Sequence, residues 1–263
     1  MTEVPPFSST VTAMGMPFVV QIQMPASESV ANAAVQRFHD ELKWADEVFS
    51  LFKDDSYLSR LNRGEIAVDD CPEEMFEILN ACEWYRAKTL GGFDARRPDH
   101  LDPSGIVKGW AVARGAAAID AVGAASWMIG ASGDVLVSGE GQLRRIGIAD
   151  PRVSGDPTGR PVVDVVMLGG EFRALATSGS AQKGLHIWDP STGAGAEHYL
   201  SVSVMADNMV DADAWATAIA AGGEKVLSAA LDSGMEAMAI TTVRPDGTYG
   251  AYASSGWPSI LPA

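Results

Sequence analysis

The second half of the chain constrains the fold most, because from Ala125 onward it breaks into short β-type runs separated by Gly, Pro and Asp clusters. These runs are SWMIGAS, DVLVSG, RRIGIAD, PVVDVVML, FRALATSG and HYLSVSVMA. Short apolar runs with such boundaries are typical of hairpins in an antiparallel sheet. Strands grouped in this way, apart from the helices, predict an α+β fold rather than a regular βαβ alternation.

Helical periodicity lies mainly before this block. After a strand predicted over residues 10–24, Pro25 and Ser27 open a helix whose apolar stripe runs to Phe52. The other predicted elements are a helical turn at Tyr57–Asn62, a helix from Asp70 to Gly91-Gly92 with Glu73 as its capping-box partner, a helix from Ser104 to about Asp120, helices at 211–221 and 224–233, and a strand in MEAMAITTV. No composition break marks a boundary, so residues 1–263 are predicted to form one domain.

Charge and apolar content exclude several classes of partner. The chain carries 34 acidic and 19 basic residues and a net charge of −15, which argues against nucleic acid as the main ligand. No apolar run reaches the roughly 20 residues of a membrane span, so none is expected. The first basic residue is Arg37, so the N-terminus lacks the positive region of a secretory signal and a cytoplasmic protein is predicted. Cys71 and Cys82 are interpreted as buried thiols.

The sequence DADAWATA supplies a candidate metal site. Asp213 and Thr217 lie four positions apart and would share one face of a helix. Carboxylate and hydroxyl oxygens suit a hard cation such as Mg²⁺, which keeps other positions for water or a phosphate-bearing partner. An ordinary acidic helix start capped by Asp211 explains the acids equally well, although it does not require the hydroxyl one turn later.

Two further stretches carry candidate chemistry. His186, between Leu185 and Ile187, is either a core histidine or a general base, since an imidazole with a pKa of about 6.5 accepts a proton at neutral pH. In DPSGIVKGW, Gly105 and Gly109 would let a ligand approach the backbone, and Lys108 would favour an anion. A glycine-rich helix packed closely on its neighbours, with a solvated lysine, is the structural alternative.

In their order along the chain, these stretches resemble the motifs of the ApbE family, the FAD:protein FMN transferases. The resemblance covers most of the chain, and its most specific parts are DPSGIVKGWA (102–111), HIWDPSTG (186–193) and ADAWAT (212–217). The other matching segments are Met14-Gly15-Met16, FKDDSYLSRLN (52–62), Phe93-Asp94, GASGD (130–134) and ATSG (176–179). GASGD departs from the family's NxGGD, and Phe52 stands where a tyrosine is usual.

The resemblance implies an ApbE/T-fold-like single domain of α+β class, with antiparallel sheet, packed helices and an FAD cleft between two lobes. It implies Mg²⁺-dependent transfer of the FMN half of FAD to a Ser or Thr hydroxyl of a recipient flavoprotein, with release of AMP. Asp213, Thr217 and the carbonyl of Gly105 would hold the metal, and His186 would be the base. The residues expected to line the FAD site are Met14, Phe52, Gly92, Phe93, Asp94, Asp102, Lys108 and Ile187.

Two other functions fit the same residues. In an FAD pyrophosphatase, water would accept the FMN half of FAD in place of the recipient protein, so that FAD would yield FMN and AMP. In a flavin-binding protein without turnover, FAD would stay intact.

Overall fold

The computed structural model describes residues 6–23, 27–138, 142–153, 161–179, 187–242 and 248–260. Its helices are α1 (Glu28–Phe49), α2 (Tyr57–Asn62), α3 (Glu73–Lys88), α4 (Ser104–Asp120) and α5 (Met209–Asp232), with a 3₁₀ turn at Val68–Asp70. Its strands are β1 (Phe7–Ala13), β2 (Met16–Gln23), β3 (Ser126–Ala131), β4 (Asp134–Ser138), β5 (Arg144–Ala149), β6 (Val162–Leu168), β7 (Ala174–Ser178), β8 (Trp188–Asp189), β9 (Ala194–Gly195), β10 (Tyr199–Ala206), β11 (Glu236–Thr241) and β12 (Ala251–Ala253).

Eight strands form one sheet in the order β1-β2-β3-β4-β7-β10-β11-β12. Every neighbouring pair in that order is antiparallel. Strands β5 and β6 form a separate ribbon, and β8 pairs with β9. Each β-type run identified after Ala125 is a strand, and the helices lie in separate blocks of the chain. The predicted α+β class with an antiparallel sheet is therefore confirmed.

Alternating side chains place the sheet between two layers. On β7, Ala174 and Ala176 belong to the apolar cluster shared with the helices, whereas Leu175 belongs to a second cluster shared with the β5–β6 ribbon. On β10, Val204 belongs to the cluster shared with the helices and Met205 to the cluster shared with the ribbon. Because successive side chains of a strand point to opposite faces, the helices cover one face of the sheet and the ribbon covers the other.

The helices pack closely because their contact faces are apolar and include glycine. The middle of the predicted stripe of α1 is buried, with Phe38 and Leu42 fully shielded from solvent. Its two ends are wrong, because Val30 is exposed and Phe52 lies beyond the helix, which ends at Phe49, with its side chain in solvent. Phe38 lies against Gly115 of α4, where a Cβ would come within 2.6 Å of the ring. Helix α5 is interrupted at Gly223, whose φ of +69° is not helical. The two helical segments predicted around this glycine are therefore present.

The strand predicted over residues 10–24 is wrong in one respect, because it is a hairpin of β1 and β2. The turn consists of Met14 and Gly15, with φ of +51° and +71°, and Ala13 pairs with Met16 across it. Positive φ at both central residues is the geometry of the two-residue turns that suit the twist of a hairpin. The alternating pattern continues through both strands, which hides the turn from a periodicity argument.

The capping box predicted at Asp70 is also wrong. Asp70 ends the 3₁₀ turn, where its carboxylate accepts the N–H of Ala67 at 3.0 Å, and α3 begins at Glu73. Of the two cysteines predicted to be buried, Cys82 is buried and Cys71 is partly exposed.

None of the helices within the described ranges is both long and apolar enough to cross a membrane. The single domain over residues 1–263 stays a prediction.

Candidate active site

Helices α4 and α5 meet along two glycines on one helix and two polar residues on the other. A Cβ at Gly105 would lie 2.8 Å from Thr217 Cγ2, and a Cβ at Gly109 would lie 2.9 Å from Asp213 Cβ. Such separations leave no room for a larger side chain at either glycine. The two glycines, four apart on α4, therefore fit against two residues that are four apart on α5. The fold thus brings together the three predicted metal ligands, Gly105, Asp213 and Thr217.

Two of these ligands present oxygen atoms to each other. The hydroxyl of Thr217 lies 3.5 Å from the carbonyl oxygen of Gly105, to which it donates. The hydroxyl of Ser178, at the end of β7, lies 3.3 Å from the Thr217 hydroxyl. Oxygen atoms at such separations are spaced much as neighbouring ligands of one small cation are.

The carboxylate of Asp213 is buried beside them. Its Oδ2 accepts the backbone N–H of Gly109 at 2.8 Å, and its Oδ1 lies 3.4 Å from the ammonium of Lys108. Burial is the main reason that the pKa of Asp213 rises to about 7, and the negative charge of Asp134 adds to the increase, whereas Lys108 and the Gly109 N–H oppose it. A bound cation would favour the charged carboxylate.

Asp134 completes a buried charge cluster that the sequence analysis did not nominate. Its Oδ2 lies 2.5 Å from Lys108 Nζ, and its Oδ1 accepts the N–H of Thr177 at 3.0 Å. Burial raises the pKa of Asp134, although Lys108 opposes this. For Lys108, burial alone would lower the pKa, but the two carboxylates outweigh it and the pKa is raised. The available signal was the GASGD segment, which ends in Asp134.

The start of α5 is fixed from two sides. Asn208 is the N-cap, and its side-chain oxygen accepts the N–H of Asp211 at 2.9 Å. The carboxylate of Asp211 accepts the hydroxyl of Tyr85 on α3 at 2.7 Å. Asp211 is therefore a first-turn residue tied to α3 and not the cap, and the helix that carries Asp213 and Thr217 is held in place.

The oxygen atoms between α4 and α5 suit magnesium. A carboxylate, a hydroxyl and a carbonyl are the ligand types that hard divalent cations prefer. Within the described ranges, no three His, Cys, Asp or Glu side chains converge on a possible metal position. The Asp213, Thr217 and Gly105 set contains one such side chain, so the remaining positions would belong to water or to a phosphate-bearing ligand.

Among the predicted FAD-lining residues, Asp102 links two of the sequence motifs. Its Oδ1 accepts the N–H of Ser104 at the start of α4, and its Oδ2 pairs with Arg97 at 2.9 Å. The guanidinium of Arg97 in turn lies 5.3 Å from the ring centre of Trp188. Asp102 thus connects the start of α4 with the segment of Ile187, which is partly buried. Burial raises the pKa of Asp102, but the bonds to Ser104 and Arg97 lower it on balance.

Gly92 and Phe93 lie next to the α4–α5 pair. A Cβ at Gly92 would come within 2.9 Å of the carbonyl oxygen of Ala218 on α5, and the Phe93 ring lies against Gly105. Both are buried, so they support the position of the two helices.

The structure places three other FAD-lining candidates without linking them to this pair of helices. Met14 is in the β1–β2 turn, Asp94 pairs with Arg96 at 2.7 Å, and the Phe52 side chain is 99% exposed. Their roles stay predictions. His186 lies outside the described residues, and its role as base also stays a prediction.

Taken together, the fold and the site define an α+β protein in which a buried carboxylate, a partly buried hydroxyl and a partly buried carbonyl lie between two helices next to a lysine. The ApbE family model matches residues 14–98 and 95–240. The chain therefore belongs to the ApbE family. Comparison with curated proteins gave no match.

Solved structures share this fold. The flavin transferase ApbE from Vibrio cholerae is 20% identical, with a TM-score of 0.74 over 95% of this chain and 97% of that chain. The flavinyl transferase ApbE from Pseudomonas stutzeri, in its apo form, is 22% identical, with a TM-score of 0.75 over 97% of each chain. The ApbE protein from Thermotoga maritima is 22% identical, with a TM-score of 0.74 over 93% and 96%. At this identity the likeness establishes the fold.

Proposed function

We propose that this protein is a magnesium-dependent flavin transferase that moves the FMN half of FAD to a Ser or Thr hydroxyl of a recipient flavoprotein and releases AMP. Family membership and the fold shared with flavin transferases indicate a transferase. The observation that carries the proposal is the convergence of Gly105, Asp213 and Thr217 between α4 and α5, with Lys108 at 3.4 Å from the carboxylate.

Each residue of the cluster has a defined task in this proposal. Asp213, Thr217 and the Gly105 carbonyl would hold Mg²⁺, which when bound neutralises charge on the phosphate oxygens. Asp134 keeps the ammonium of Lys108 beside Asp213, where it adds positive charge close to an anionic substrate. His186 would remove the proton of the acceptor hydroxyl, a contribution of about 10²–10⁴ in rate.

The remaining predicted residues would bind FAD. Asp102 and Ile187 belong to segments joined through Arg97 and Trp188, so both could face one ligand. A cleft between two lobes and a cytoplasmic location stay predictions from the sequence.

Co-expression with candidate flavoproteins tests the proposal. The recipient should gain the mass of one FMN at a Ser or Thr, and purified protein with FAD, Mg²⁺ and that recipient should form one AMP for each FMN attached. Asp213→Ala should abolish both. Asp232→Ala provides a matched control because Asp232 is an exposed carboxylate at the end of the same helix, and it should leave both unchanged.

Two outcomes would contradict the transferase function. Rapid formation of free FMN and AMP with an unmodified recipient would identify a pyrophosphatase. FAD that stays intact with Mg²⁺ and a recipient known to be flavinylated by a relative would identify a binding protein.

A further inference from the structure

We infer that Ser178 is a positioning residue for the metal site, which orients the hydroxyl of Thr217 so that its oxygen faces the cation. This inference rests on the proposed function, because it concerns the same site. It adds a residue from the sheet to a ligand set that otherwise belongs to α4 and α5.

The Ser178 side chain lies on the helix side of the sheet. Ala174 and Ala176 of β7 face the helices, and Leu175 faces the ribbon. The alternation of a strand puts Ser178 on the helix side and Thr177 on the ribbon side. The contacts agree with this, because Ser178 Oγ lies 3.3 Å from Thr217 Oγ1, whereas Thr177 Oγ1 lies 2.9 Å from Ser203 Oγ.

The Thr217 hydroxyl has a single proton to donate. In this structure Thr217 donates to the carbonyl of Gly105 at 3.5 Å. If the Thr217 oxygen and the Gly105 carbonyl both ligate one cation, their lone pairs point at the cation and the proton must turn to another acceptor. Ser178 Oγ is next to it, on the sheet side. Acceptance by Ser178 fixes the rotation of the threonine hydroxyl, as groups that bond to metal ligands commonly do.

A backbone carbonyl of α5 competes with Ser178 for the proton of the Thr217 hydroxyl. A threonine inside a helix can donate to the carbonyl four residues earlier, which for Thr217 is the carbonyl of Asp213. In that case Ser178 would contribute nothing to metal affinity. The two arrangements therefore make opposite predictions for a variant that lacks only the Ser178 hydroxyl.

A titration with Mn²⁺ in place of Mg²⁺ distinguishes them. Free Mn²⁺ is measured by electron paramagnetic resonance in the presence of FAD, without recipient, and Asp213→Asn gives the background of Mn²⁺ held by FAD alone. We expect Ser178→Ala to raise the Kd for Mn²⁺ by about 10-fold or more. Ser178→Thr keeps a hydroxyl and should restore an affinity close to that of the wild type.

Thr177→Val is the matched control, since it removes a hydroxyl from the same strand on the opposite face and should leave the Kd within about twofold of the wild type. Metal-free thermal melting of each variant separates a loss of metal affinity from a loss of folding. An unchanged Kd in Ser178→Ala would overturn the inference and leave the metal site standing. Equal binding by wild type and Asp213→Asn would instead overturn the metal site, and with it the inference.

Discussion

Asp213 illustrates how burial sets the chemistry of a single residue. Its side chain lies between a backbone N–H, a lysine and a second buried carboxylate, and its pKa rises to about 7, chiefly because of burial. Asp213 and Thr217 could be predicted from the sequence because their spacing of four is local to one helix. Asp134 was missed because its ion pair with Lys108 joins residues of β4 and α4 that are distant in sequence, which no local spacing encodes.

The metal-free protein should lose stability as the pH rises from about 4 to about 7. A pKa raised in the folded state means that Asp213 contributes stability at low pH, in full below its ordinary pKa, and that this contribution is lost as the pH rises through about 7. The Tm of the metal-free wild type should therefore fall relative to that of Asp213→Asn between about pH 4 and 7. Parallel Tm curves for the two proteins over this range would contradict the assignment.

At the scale of helices and strands, the close packing of α4 and α5 depends on glycine at their contact. A Cβ at Gly109 would lie 2.7 Å from the carbonyl oxygen of Met209, which is backbone and cannot move alone. Gly109→Ala should therefore push the helices apart and lower the free energy of unfolding by about 1–3 kcal/mol. Chemical denaturation measures this.

Gly130→Ala serves as its control, because a Cβ at Gly130 meets nothing within 4 Å. It should change the free energy of unfolding much less. Similar losses for the two variants would show that close packing at Gly109 is not the cause.

Asn62 joins α2 to the segment before α4. Its side chain donates to the carbonyl of Leu101 and accepts the N–H of Leu101, each at 2.9 Å. Asn62→Ala leaves both partly buried backbone groups without these partners, so it should cost about 1–3 kcal/mol in the free energy of unfolding. Asn80→Ala, at an exposed position of α3, should be nearly neutral in the same denaturation experiment. Equal effects would contradict this role for Asn62.

At this scale the sequence predicts helices and strands well where the pattern is long, and less well at their ends. The middle of the apolar stripe of α1 and the glycine break in α5 could both be predicted from the sequence. The β1–β2 turn was not, because alternation continues across Met14 and Gly15 and only the glycine marks it. The predicted capping box is wrong because the Asp70 carboxylate accepts the N–H of Ala67, three residues earlier, and does not cap α3.

At the scale of the whole molecule, the strand order could not be read from the sequence. Strand β7 lies between β4 and β10 in the sheet. Strands β5 and β6 form a separate ribbon that packs on the face opposite the helices. Periodicity identifies each strand but not its non-local partner. The grouping of strands apart from helices predicted the α+β class, and the family resemblance added the more specific architecture; family membership and the fold are both confirmed.

The two cysteines differ in exposure, so their reactivity with a thiol reagent tests whether the protein is folded. Burial is the main cause that raises the pKa of Cys82 to about 12, so almost none of this thiol is ionised at pH 8. Cys71 is partly exposed, although burial raises its pKa as well. A thiol reagent should label Cys71 in the native protein and Cys82 only on unfolding. Fast labelling of both in native conditions, measured by mass spectrometry, would contradict the packing of α3.

The central claim is that one divalent cation binds to Asp213, Thr217 and the carbonyl of Gly105 beside FAD. The most direct test is a crystal grown with FAD and Mn²⁺ and measured at a wavelength where manganese scatters anomalously. We predict an anomalous peak within about 2.2 Å of all three oxygen atoms. A manganese peak elsewhere beside the bound FAD, with the Asp213 carboxylate still bonded only to Gly109 and Lys108, would contradict the claim.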